Sequence, residues 1–130
     1  MSILNALNER GFIAAMTDES LDAHLESGSR TIYIGFDPTA DSLHLGHLVP
    51  IMVLAHLQRA GHRVLMVVGG ATGMIGDPSG KSDERNLLSE DQINHNVAAV
   101  RDQLARFVTF DGDNPAAMLN NHDWIGPMSF

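Results

Sequence analysis

Two histidines, His44 and His47, flank Leu45 and Gly46 just after a loop that carries a proline and two aspartates, Phe36-Asp37-Pro38-Thr39-Ala40-Asp41. Side chains three apart on a first helical turn project from one face. Gly46 leaves the backbone between them without a Cβ, so a ligand can lie against it. Free backbone N–H groups and the positive end of the helix dipole point at whatever sits on such a turn. Together with imidazoles, they suit phosphate oxygens. A second loop, Gly69-Gly70-Ala71-Thr72-Gly73-Met74-Ile75-Gly76-Asp77-Pro78-Ser79-Gly80-Lys81, is dense in glycine and leads to two cations four apart, Lys81 and Arg85. Beside the first loop, those cations are placed to meet anionic oxygens, and Asp77 to accept from an ammonium group. The two loops read as one nucleotide site.

The elements around them decide whether the loops can meet. Residues 31–35 are β-branched and aromatic, end on glycine, and read as a short buried strand. Residues 36–41 are a loop. Ser42 is the expected N-cap of a helix over 43–60 that is apolar nearly all round and therefore buried on most sides. Pro50 cannot donate to the carbonyl of Gly46, which predicts either a bend or a tightened start. Gly61 stops the helix. Residues 64–68, an unbroken apolar run, read as a strand buried on both faces. Strand, helix and strand over this length make a βαβ unit, so the strands are parallel. Both loops then open at the carboxyl edge of the sheet, where ligands bind in such folds.

The flanks follow the same logic. Residues 2–10 read as a helix capped by Ser2 and stopped by Gly11, and 17–27 as a second, with Thr17 as N-cap and Gly28 after its end. Ser89-Glu90-Asp91-Gln92 is a capping box opening a helix to about Phe107. A polar turn at 110–115 precedes a third strand at 116–122. His24, His56, His62 and His95 read as structural or solvated.

Neither standard phosphate motif fits the second loop. A P-loop needs Gly, four residues and then Gly-Lys-Ser/Thr, and Ile75 occupies its required first glycine position. The dinucleotide fingerprint needs G-x-G-x-x-G, whereas Gly70, Gly73 and Gly76 are evenly spaced.

Composition narrows the class. The 130 residues allow one domain with a modest core, and no apolar run approaches a membrane span. Glu9 and Arg10 interrupt what would be a signal segment. The absence of cysteine excludes disulfide and thiolate chemistry and fits a cytoplasmic protein. A net charge of −8 argues against a general nucleic-acid clamp.

The run from Tyr33 through His44-Leu45-Gly46-His47, followed by Val68-Gly69-Gly70-Ala71-Thr72-Gly73 and Ile75-Gly76-Asp77-Pro78-Ser79-Gly80-Lys81, resembles the N-terminal part of bacterial tyrosyl-tRNA synthetases, which are class I enzymes. His44 to His47 looks like their HIGH motif, and the likeness extends to Asn120-Asn121-His122-Asp123-Trp124-Ile125-Gly126. The resemblance implies an α/β chain: the first half of a Rossmann-like (HUP-type) parallel-sheet nucleotide-binding fold. Residues 1–30 would be a helical lead-in and 31–130 the half fold. It implies that Tyr33 meets the hydroxyl of bound L-tyrosine and Asp77 its ammonium group. Gly35 and Asp37 would present backbone N–H groups near the α-phosphate of ATP. Thr39 and His44 would bond the departing pyrophosphate, Gly46 and His47 would lie at the nucleotide, and Lys81 and Arg85 would close over the pyrophosphate. ATP would carry Mg²⁺, and no protein metal site is expected. The family is itself the usual illustration of rejecting an analogue through an unpaired buried polar group.

Three departures set further expectations. The family's second half, its KMSKS loop and its tRNA-binding domains are absent, and the single lysine leaves no room for a hidden KMSKS equivalent. Ile34 stands where some members have a side chain able to reach the ribose. His122 stands where many have tyrosine and is assigned no role. The resemblance therefore implies a tyrosine–tRNA ligase whose parent meets tRNA(Tyr) through other regions, is a homodimer and involves no membrane. The chain alone is expected to be inactive. The alternatives are a non-catalytic truncated nucleotide- or tyrosine-binding module and a nucleotidylyltransferase that uses HxGH on another acceptor.

Overall fold

A proline, three glycines and two capping serines divide the chain where the physics of turns requires, and the computed structural model follows that division. It describes residues 1–37, 40–71 and 89–129. In order these form α1 (Ile3–Glu9), α2 (Leu21–Glu26), β1 (Thr31–Phe36), a 3₁₀ turn (Leu45–His47), α3 (Leu48–Arg59), β2 (Arg63–Val68), α4 (Glu90–Leu104), β3 (Ala117–Asn120) and α5 (His122–Ile125).

The sheet has the order β1-β2-β3 with both pairs parallel. Thr31 stands opposite Arg63 and Phe36 opposite Val68, while Leu65 pairs with Ala117 and Val68 with Asn120. The chain is an α/β protein with the parallel-strand arrangement expected from the βαβ reading. Among the described residues, no helix is long and apolar enough to cross a membrane.

Val64, Met66 and Val68 alternate along β2 and are fully buried. They point to one face. Val64 and Met66 share a core with Leu4 and Leu7 of α1, Leu25 of α2, Ile51 and Leu54 of α3, and Val100 and Leu104 of α4. Burying each such side chain contributes about 1.5–3 kcal/mol. The other face of β2, Leu65 and Val67, is only half-buried, so the strand is not closed on both sides as its apolar run suggests. β1 differs more. It is an edge strand, Ile32 and Ile34 are half-buried, and Tyr33 is 70% exposed.

Local chemistry explains most element ends. The Ser2 hydroxyl accepts from the Asn5 N–H, and Ser89 and Gln92 complete the expected capping box. Gly61, with φ +95°, ends α3. The second helix starts at Leu21 rather than after Thr17, because the Asp18 carboxylate accepts from the Ser20 N–H at 2.8 Å and holds a turn there. The Ser20 hydroxyl, and after it that backbone bond, lower the Asp18 pKa. α4 stops at Leu104, and Phe107 lies in the following turn, partly exposed. The third strand is shorter than 116–122, because α5 begins at His122.

Two long-range clasps join these pieces. Gln58, buried on α3, donates through Nε2 to the carbonyls of Thr109 (2.8 Å) and Asn114 (3.2 Å) and accepts from the Thr109 N–H (3.0 Å). Asn114 returns Nδ2 bonds to the carbonyls of Gln58 and His62. The turn before β3 is thus tied to the end of α3. Buried His62 accepts from the Arg30 N–H at 3.1 Å, beside the first rung of the β1–β2 ladder.

Candidate functional site

The three strands end together. The Gly69 N–H donates to the Phe36 carbonyl at 3.0 Å, and the Asn121 N–H to that of Val68 at 2.9 Å. Asp37 and Gly69 therefore leave the sheet side by side, and the two loops begin at one edge. The start of the second loop is also held from the residue that follows β3: the Asn121 Oδ1 accepts from the Ala71 N–H at 2.8 Å. A Cβ at Gly70 would lie 2.1 Å from the Asn120 Oδ1, so only glycine fits there without displacing that amide.

The entry to α3 is built differently from the expectation for Ser42. The cap is His44, in an extended conformation, whose Nδ1 accepts from the Gly46 N–H at 3.0 Å. The Nδ1 of His47 accepts in turn from the His44 N–H at 3.1 Å. This is a capping box made of two imidazoles. The cause lies downstream. Pro50 has no N–H for the Gly46 carbonyl, so the first turn winds tightly, with the His47 N–H on the His44 carbonyl at 3.0 Å. The tightened start was one of the two outcomes expected of Pro50. It moves the cap two residues past Ser42. Gly46 serves the cap, because a Cβ there would lie 2.9 Å from the His44 Cε1.

The hydrogen bonds assign the protons. A ring nitrogen that accepts an N–H must carry its lone pair, so each neutral imidazole bears its proton on Nε2. Both histidines are donors at the nitrogen that the backbone does not use. Their rings stack with centroids 3.7 Å apart and 25° between planes, and the rings of buried Phe36 and His47 meet edge-on with centroids 6.1 Å apart. Burial and the neighbouring His44 lower the His47 pKa below its ordinary 6.5, and Asp37 partly offsets them. The neutral donor form is favoured.

The remaining expected residues divide into two groups. Tyr33 and Gly35 share the sheet face opposite the core, and Asp37 is the exposed residue just beyond the strand. With His44, Gly46 and His47 they stand along β1 and its carboxyl end. Thr39, Asp77, Lys81 and Arg85 lie outside the described residues. Among the described residues, no group of three or more His, Asp or Glu could hold a metal ion. Sequence reasoning missed Asn120, Asn121 and Gln103, whose contacts shape the two loops. Polar residues on a strand end or helix read as solvated, so no local signal marks them.

A parallel α/β sheet with a helix N-terminus at its carboxyl edge defines the Rossmann-like class. The family model for class I tRNA synthetases (W and Y) matches residues 26–130. The chain is 52% identical over 132 residues to the tyrosine–tRNA ligase of Streptococcus mutans, covering 100% of this chain and 32% of that protein. It is 55% identical over 130 residues to that of Rhodopirellula baltica, covering 99% and 30%. A C-terminally truncated mitochondrial tyrosyl-tRNA synthetase from Aspergillus nidulans superposes with a TM-score of 0.80 at 27% identity, over 99% of this chain and 40% of that one. The chain belongs to the class I tRNA synthetase family that comprises the tryptophan and tyrosine enzymes. It spans only 32% and 30% of the length of these two curated relatives.

Proposed function

We propose that the chain is the N-terminal part of a tyrosine–tRNA ligase, which activates L-tyrosine with ATP and passes it to tRNA(Tyr). The observation that carries this reading is the imidazole turn: two Nε2–H donors on a helix N-terminus, at the carboxyl end of β1. In-line attack of the tyrosine carboxylate on the α-phosphate needs no protein nucleophile. It needs the reactants held in line and donors aimed at the charge gathering on phosphate oxygens. His44 donates to the departing pyrophosphate together with Thr39, and His47 steadies the ribose. Gly35 and Asp37 offer backbone N–H groups at the α-phosphate. Tyr33, on the open sheet face, meets the substrate hydroxyl, and Asp77 meets its ammonium group. Lys81 and Arg85 close over the pyrophosphate. Mg²⁺ arrives on the triphosphate, held by its oxygens.

The parent protein in this reading is a cytoplasmic homodimer, with residues 1–30 as lead-in and 31–130 as half of its nucleotide fold. Tyrosine-dependent exchange between ATP and pyrophosphate tests it, measured on this chain and on a chain carried to its relatives' full length. The longer chain should exchange and the 130-residue chain should not. No exchange in the longer chain would sink the ligase reading.

A further inference from the structure

The histidine turn is held from outside as well as by its own backbone. Gln103, in the last turn of α4, stands sixty positions from the loop it touches. Its Oε1 accepts from the Leu43 N–H at 2.9 Å, and its Nε2 donates to the Asp41 carbonyl at 2.8 Å. A single planar amide thus pairs with one donor and one acceptor of alternate residues, as an adjacent strand would. A longer bond, 3.3 Å, runs from the same Nε2 to the Ala99 carbonyl and steadies the side chain along its helix. The neighbours of Gln103 make it a firm support, because Val100 and Leu104 anchor this end of α4 in the core. His95 adds a lesser contact, its Nε2 3.9 Å from the Asp41 Oδ2, with both side chains largely exposed.

The clasp leads directly into the site. Gln103 holds the N–H of Leu43, His47 that of His44, and His44 that of Gly46. Three backbone donors within four residues are each taken by a side chain, and the first of these side chains comes from another element. If it is removed, Leu43 and Asp41 turn to water, and the His44 cap can pivot about its own N-terminal link.

We propose that Gln103 is a positioning residue for adenylate formation: by clasping residues 41 and 43 it fixes where the His44 Nε2–H donor points. The clasp is independent of the ligase reading, but its catalytic consequence rests on it. In a reaction governed by alignment, a displacement of about 1 Å can cost up to about a hundredfold in rate.

The test uses the chain at its relatives' full length with Gln103→Met, which keeps the length of the side chain and removes both hydrogen bonds. Gln103→Glu keeps the acceptor for Leu43 and loses the donor to Asp41. Pyrophosphate exchange should show kcat about tenfold lower for Gln103→Met, with KM for tyrosine within about twofold of the parent, and Gln103→Glu in between. Amide hydrogen exchange should show Leu43 protection falling about tenfold in Gln103→Met while the amides of residues 51–57 in α3 hold theirs. An unchanged kcat overturns the proposal even if Leu43 protection is lost. A loss of protection spread evenly over α3 and α4 also overturns it, because Gln103 would then only stabilise the fold. An inactive unsubstituted chain is a separate result: it removes the ligase reading and this role with it.

Discussion

The imidazole rings of His44 and His47 lie 3.7 Å apart, and each accepts at Nδ1 a backbone N–H of the turn they share. Burial, and after it the neighbouring His44, disfavours a charge on the His47 ring. The lowered pKa of His47 is one expression of this, so the proton is bound more readily by the unfolded chain than by the folded one. Stability should therefore be flat above the ordinary value of 6.5 and fall as pH drops below it, until the folded ring is protonated too. Thermal unfolding between about pH 7.5 and about pH 5 checks the sign. His47→Gln should flatten that slope, and an equal slope in both chains would contradict the assignment.

His44 and Tyr33 should separate rate from recognition in the chain at its relatives' full length. His44→Ala is expected to slow tyrosyl-adenylate formation about a hundredfold while tyrosine affinity stays within about twofold, because the donor acts on charge that develops in the transition state. Tyr33→Phe should erode discrimination against phenylalanine without destabilising the fold, since the ring is 70% exposed. Single-turnover rates and equilibrium dialysis with tyrosine measure both. A fall in tyrosine affinity in His44→Ala would remove its assigned role.

Gly70→Ala should lower stability by about 1–2 kcal/mol, through a Cβ driven against the Asn120 amide. That amide also accepts from the His122 N–H at 3.0 Å, so moving it breaks the start of α5. In a double-mutant cycle, Asn120→Ala should relieve most of the added cost. Additive effects in urea unfolding would show that the two residues do not collide.

The Gln58 clasp gives a second stability test. Gln58→Leu fills the space but leaves the Thr109 N–H and two carbonyls without their partner, at a cost of about 1–3 kcal/mol. The loss should appear in the urea midpoint. Proteolysis near residues 109–114 should quicken with it.

Leu54 and Leu45 mark opposite ends of the range. Leu54 is fully buried and Leu45 is 82% exposed, although they stand only nine positions apart across one helix start. Leu54→Ala should cost about 2–5 kcal/mol in chemical unfolding. Leu45→Ala should stay within about 0.5 kcal/mol of the parent. A large loss at Leu45 would mean that its side chain is covered in solution.

How much of this was legible in the amino-acid order depends on the reach of each interaction. The caps at Ser2 and Ser89, the stop at Gly61, the tightened entry before Pro50 and the parallel βαβ unit could all be read. Each follows from bonds or steric limits within about a turn of chain, or from the length of a crossover. That His44, Gly46 and His47 share one turn at the start of the helix after β1 was equally visible. Tertiary packing alone decided that the Tyr33 face of β1 stays open, and that Gln58, Gln103 and Asn121 reach across to other elements. Those contacts join residues fifty to sixty positions apart. A glutamine facing water and a glutamine facing a loop carry the same local signal, and only the placement of the neighbouring element distinguishes them.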